Sequence, residues 1–169
     1  MRKYLSLIAV AALMTGCQSD DVTSMEPINS YDAIAFSVDE TDFGTRAAGE
    51  IPNTDALKDA ASTGFGVFAS YTGVLKYDYT SVKPDFMYNQ QVKYKAGSPD
   101  GAWIYNPLKY WPNEETDHIT FFAYAPYEGS PSGSKCIAEF SAPNEQGDPW
   151  LVYKMSQKIN DQVDLMFGF

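Results

Sequence analysis

Apolar and polar residues alternate with a period of two along most of this chain. The pattern begins in Ala33-Ile34-Ala35-Phe36-Ser37-Val38, where Ile34, Phe36 and Val38 share one face, as a half-buried strand requires. It returns at Phe65, Val67, Ala69 and Tyr71. Further strands are predicted over 86–94, 101–105, 118–124, 136–140, 150–153 and 163–167, separated by breaker clusters such as Gly129-Ser130-Pro131-Ser132-Gly133. A single short helix is expected from a cap at Thr54 or Asp55 to about Ala61. Residues 39–53 read as a loop. Short strands at this spacing, without long crossover helices, predict an all-β fold, an antiparallel β-sandwich.

The first residues follow another rule. Arg2 and Lys3 precede an apolar run from Tyr4 to Met14, too short to cross a bilayer core of roughly 30 Å as a lasting helix, so residues 1–16 read as a signal peptide. The run ends in Met14-Thr15-Gly16-Cys17, which resembles the lipobox of bacterial lipoproteins, although Met14 stands where Leu is usual. Cleavage after Gly16 would make Cys17 the lipidated N-terminus. Two or three acyl chains there suffice for stable anchoring, since each buried methylene contributes roughly 0.8 kcal/mol. Gln18-Ser19-Asp20-Asp21 looks like the signal that exports Bacteroidetes lipoproteins to the outer face of the outer membrane. A solvated tether is the other reading of the same residues. Residues 17–30 form a flexible stalk, and 31–169 the folded domain.

Charge and cysteines narrow the function classes. The chain has 12 Lys and Arg against 22 Asp and Glu, and loss of Arg2 and Lys3 with the signal peptide makes the remainder more acidic still. Nucleic acid is excluded as a partner, because its binding rests on basic side chains neutralising phosphates. With Cys17 committed to lipid, Cys136 is the one remaining thiol and no intramolecular disulfide forms. The stretch Lys135-Cys136-Ile137-Ala138-Glu139-Phe140 puts Cys136 in phase with Ala138 and Phe140, as a small buried apolar residue.

Candidate chemistry is sparse. The single histidine, His118, sits at the start of a predicted strand, and no second His or spare Cys completes a metal site or triad. Glu114 and Glu115 are neighbours on a loop and point apart, unlike a glycosidase pair. Gly64-Phe65-Gly66 is too short for a phosphate loop and lies inside a predicted strand, where its glycines permit a close backbone approach or a bulge. The chain is therefore read as no enzyme, with no cofactor and no metal. Trp103-Ile104-Tyr105, Tyr110-Trp111-Pro112 and Phe121-Phe122-Ala123-Tyr124 form an aromatic cluster. Such rings are ordinarily core, each removing about 150–250 Å² from water, but exposed Trp103, Trp111 or Trp150 would serve as sugar platforms.

Taken in chain order, the lipobox Cys17, the Ile34–Val38 strand, Thr45-Arg46-Ala47, Phe65-Gly66-Val67-Phe68-Ala69, Lys109-Tyr110-Trp111-Pro112, Ile119-Thr120-Phe121-Phe122-Ala123-Tyr124-Ala125-Pro126 and Gln162-Val163-Asp164-Leu165-Met166 resemble the fimbrillin family of the Bacteroidetes. The resemblance implies a transthyretin-like β-sandwich delivered as a lipoprotein. It further implies that an arginine-specific protease cuts behind Arg46, that the strand carrying Ile34, Phe36 and Val38 leaves, and that a strand from the next subunit fills the groove. The implied partners are other pilus subunits by β-strand addition, the outer-membrane lipid through Cys17, and a host protein or glycan in adhesion. Family members carry a second β-sandwich, so 31–169 corresponds to their N-terminal domain, as a truncated form or a one-domain variant. The competing function is a carbohydrate-binding surface lipoprotein of a glycan-uptake system.

Overall fold

The computed structural model describes residues 33–38, 54–59, 61–97 and 101–168. Its strands are β1 (Phe65–Gly73), β2 (Met87–Lys95), β3 (Ala102–Ile104), β4 (His118–Ala125), β5 (Ile137–Phe140), β6 (Leu151–Tyr153) and β7 (Met166–Gly168). Five form one antiparallel sheet in the order β3-β2-β1-β4-β7, and β5 and β6 form a second. The expected all-β, antiparallel architecture is what the chain adopts.

β1 lies at the centre, and residues 65–70 are buried on both faces. That explains its composition. Phe65, Val67 and Ala69 face a core shared with Ile34, Leu57, Met87, Val92, Tyr105 and Ala125, while Gly66, Phe68 and Ser70 face the other way. On that second side Phe68 packs against Tyr88 and Phe140 at ring-centroid distances of 5.3 and 6.1 Å. Phe140 also meets Tyr124 at 5.6 Å, so the β5-β6 hairpin covers this face and closes a two-layer sandwich. Burying an aliphatic side chain such as Val67 or Ile137 contributes about 1.5–3 kcal/mol, and both are at most 1% exposed.

Glycine opens β1 for a steric reason. Gly64 has φ +76°, and a Cβ there would lie 2.0 Å from the carbonyl oxygen of Val92, so β2 passes against bare backbone. A Cβ on Gly66 would meet the Tyr124 ring at 2.3 Å. The close approach expected of Gly64-Phe65-Gly66 is therefore found, with Gly64 just outside the strand.

Five details depart from the sequence reading. The helix is a 3₁₀ helix, Thr54–Lys58, and a second 3₁₀ helix occupies Ile159–Asp161. In the first, Leu57 is buried in the core, and i→i+3 bonds from Asp59 N to Ala56 O and Ser62 N to Asp59 O tighten the chain into Gly64. In β5 a register shift between Ile137 and Glu139 moves Ile137 into phase with Phe140 and turns Ala138 outward. The last strand begins at Met166, because Val163 drops into the small cluster of Cys136 and Ile137 instead of pairing. Tyr71, at the far end of β1, is exposed and donates to Asp117 Oδ2 at 2.6 Å.

The fifth departure bears on function. Residues 33–38, expected as a strand, show the predicted alternation, with Ile34 2% exposed, Phe36 and Val38 packed on the core, and Ala33, Ala35 and Ser37 outward. Among the described residues they find no strand's ladder. Their pairing among the described residues is a single antiparallel bridge, Ala33 with Tyr110.

Candidate functional site

The slot that holds this leading segment is built by the chain between β3 and β4. Tyr105 follows β3 directly, and the turn after it, containing a cis Asn106–Pro107 bond, brings Lys109 back to the Tyr105 side chain. There the Tyr105 hydroxyl lies 3.1 Å from the Lys109 carbonyl as donor and 3.2 Å from the Lys109 N–H as acceptor. Gln90 of β2 secures the turn by donating to the Asn106 carbonyl at 3.0 Å, and the Lys109 ammonium sits 5.1 Å from the centroid of Phe86, a cation–π contact.

Ile34 docks on this turn by its backbone. Its N–H donates to the Lys109 carbonyl at 2.8 Å, and its carbonyl accepts from the Tyr105 hydroxyl at 2.8 Å. Phe36 docks by its ring, which stands edge-on to Phe65 at 6.1 Å, Tyr105 at 5.4 Å and Phe121 at 5.9 Å. Each such pair adds about 0.5–1.5 kcal/mol beyond the area it buries. Trp103 extends the cage behind Phe65 at 5.1 Å, and Trp111 extends it behind Phe121 at 6.1 Å. Burial pushes the Tyr105 phenol above its ordinary value, so the hydroxyl stays neutral and able to donate.

The result is an extended segment held chiefly by alternate side chains, with one residue's backbone pinned. Peptide recognition by strand addition uses the same division of labour, side-chain pockets at every second position and main-chain hydrogen bonds for the rest. Here the pockets are complete and the ladder is short.

Other residues singled out in the sequence fall elsewhere. Cys17 and Arg46 lie outside the described residues. Cys136 is 1% exposed, with Sγ 3.8 Å from Glu128 Oε1. His118 starts β4 with Nδ1 3.2 Å from the Gly73 carbonyl, and Glu114 and Glu115 are exposed. Trp103 packs between Phe65 and Tyr94. Trp111 and Trp150 are 39% and 40% exposed but do not share a platform. Trp111 leans on Phe121, whereas Trp150 borders a cavity of ≈ 320 Å³ beside Phe68, Tyr124 and Phe167 on the second face, its indole N–H donating to Glu145 at 3.0 Å.

The pinning role of Tyr105 is not apparent from periodicity. Tyr-x-Pro occurs three times, in Tyr105-Asn106-Pro107, Tyr110-Trp111-Pro112 and Tyr124-Ala125-Pro126. In the first and third the X–Pro bond is cis and the tyrosine hydroxyl meets the backbone four residues on, so the pattern alone does not single out the clamp.

Comparison with known proteins bears on this site. A family model described as Fimbrillin-like matches residues 45–169. The chain is 34% identical over 168 residues to the fimbrium subunit Fim1C of Phocaeicola vulgatus, an alignment covering 95% of this chain and 41% of that protein. It also resembles the crystal structure of a fimbrial protein from Bacteroides vulgatus ATCC 8482, with a TM-score of 0.57 and 31% identity, across 72% of this chain and 36% of the other. The chain thus spans about two fifths of the length of the curated relative it matches.

Proposed function

Because this chain belongs to the fimbrillin-like family, we propose that it is a structural or accessory subunit of pilus-like surface fibres, joined to its neighbours by strand exchange and serving adhesion. The lipobox supports delivery as a lipoprotein anchored through Cys17 at the outer face of the outer membrane. An arginine-specific protease then cuts behind Arg46. The freed segment carrying Ile34, Phe36 and Val38 leaves, and an extended strand of the next subunit takes its place.

The observation that carries this reading is how residues 33–38 are seated. A strand woven into the sheet would be tied by hydrogen bonds at every second residue, and its removal would unravel its neighbours. Among the described residues this segment makes one bridge, and it contributes Ile34, Phe36 and Val38 to a core whose other walls include β1, β2, β4 and Tyr105. Its loss exposes Phe65, Tyr105 and Phe121, and burial of a replacement aromatic restores what was lost. The tyrosine and phenylalanine rings supply the binding surface, and no cofactor takes part.

The test is display of the full chain on its native host, with and without an arginine-specific protease, comparing wild type with Arg46→Ala. Wild type is expected to lose its N-terminal segment and form assemblies that survive mild detergent, while Arg46→Ala stays uncut and unassembled. An Arg46→Ala protein that matures and assembles like wild type would rule out release by that cut.

A further inference from the structure

We infer that Tyr105 determines which strand the slot accepts, holding a non-proline residue by its backbone and requiring an aromatic side chain two residues later; this rests on the strand-exchange reading above. A hydroxyl has one proton to give, and two carbonyls lie within its reach, Ile34 O at 2.8 Å and Lys109 O at 3.1 Å. With the slot filled, the Tyr105 O–H serves Ile34 and the Ile34 N–H serves Lys109. With the slot empty, the same O–H turns to Lys109. Throughout, the Lys109 N–H keeps the hydroxyl oxygen as its acceptor.

Every donor and acceptor on the slot side therefore has a partner in both states, which matters because an orphaned buried group costs about 1–3 kcal/mol. The slot can be vacated without that penalty. What enters must repeat what Ile34 offers, an N–H toward Lys109 and a carbonyl toward Tyr105 on one residue, which excludes proline. The Tyr105 ring sets the second condition. With Phe65 and Phe121 it forms three edge-on walls around Phe36, a pocket that an aliphatic side chain fills without gaining ring-edge attraction. The partner is thus an extended segment patterned apolar-x-aromatic-x-apolar, as in Ile34, Phe36 and Val38.

The experiment uses the full chain carrying Phe36→Ala, which weakens its own segment, titrated with a fluorescein-labelled synthetic peptide of residues 31–40. The unmodified peptide is expected to bind. A peptide N-methylated at Ile34, and one with Phe36→Leu, are each expected to bind about tenfold more weakly or worse, as is the unmodified peptide when Tyr105→Phe is added to the protein. The two altered peptides meet an unchanged protein, so their result does not depend on how Tyr105→Phe folds. Binding that ignores all three changes would overturn this inference and leave strand exchange standing. No binding of the unmodified peptide would overturn both.

Discussion

Tyr105 and Tyr124 are the same device used twice, with one difference. Each precedes a cis X–Pro bond by one residue, and each offers its hydroxyl to both the N–H and the carbonyl four residues on, Lys109 for Tyr105 and Glu128 for Tyr124. Their third partners differ in kind. Tyr124 donates at 2.6 Å to the side chain of Asn89, a β2 residue held at φ 43° that in turn donates to the Glu128 carbonyl at 3.0 Å. Tyr105 reaches the backbone of a segment 71 residues away in sequence, attached among the described residues by a single bridge. One clamp closes on the sheet itself and the other on a removable piece, so the same chemistry serves permanence in one place and exchange in the other.

Substitutions that respect or abolish this contrast should rank accordingly. Gly66→Ala has the largest effect, about 3 kcal/mol, because its Cβ would sit 2.3 Å from the Tyr124 ring and drive that clamp open; the midpoint of urea unfolding checks it. Tyr124→Phe follows at about 2 kcal/mol, leaving Asn89, in its left-handed conformation, with an Oδ1 that has lost its donor. Tyr105→Phe leaves the global midpoint within about 1 kcal/mol of wild type, since the Ile34 carbonyl reaches water by local opening rather than global unfolding. Equal losses for the two Tyr→Phe changes would erase the distinction between the clamps.

The smallest effect is alkaline. Burial holds both phenols above their ordinary value, so the folded state keeps these protons to higher pH than the unfolded chain. Their contribution is complete below the unfolded value of about 10 and is lost as pH rises through the folded values. The urea midpoint is expected to fall as pH rises above about 10, more shallowly in Tyr124→Phe. An identical slope in that variant would contradict the assignment.

The period-two pattern made the strands legible because one face of each is buried, and β1, β2 and β4 appear within a few residues of their expected ends. It failed where backbone geometry, not side-chain phase, decides the outcome. In β5 a bulge shifts the phase, which hydrophobicity cannot register in a stretch where Cys136, Ile137 and Ala138 are all apolar. At Ile34, Phe36 and Val38 the phase was right and the ladder was not, because alternation reports burial and says nothing about which backbone groups find partners. The Tyr105 clamp was hidden for a related reason. Its partners are main-chain atoms, which every sequence possesses, and the Tyr-x-Pro it shares with Tyr124 also occurs at Tyr110-Trp111-Pro112, where the X–Pro bond is not cis.

The separability of residues 33–38 from the body is tested most directly by hydrogen exchange of the Ile34 amide in increasing, sub-denaturing urea. The expected result is exchange at a free energy well below that of the β1 and β4 amides, with little dependence on urea, as for an opening that leaves the sheet intact. An Ile34 amide with the same protection and urea dependence as β1 would show that the segment departs only when the whole domain unfolds.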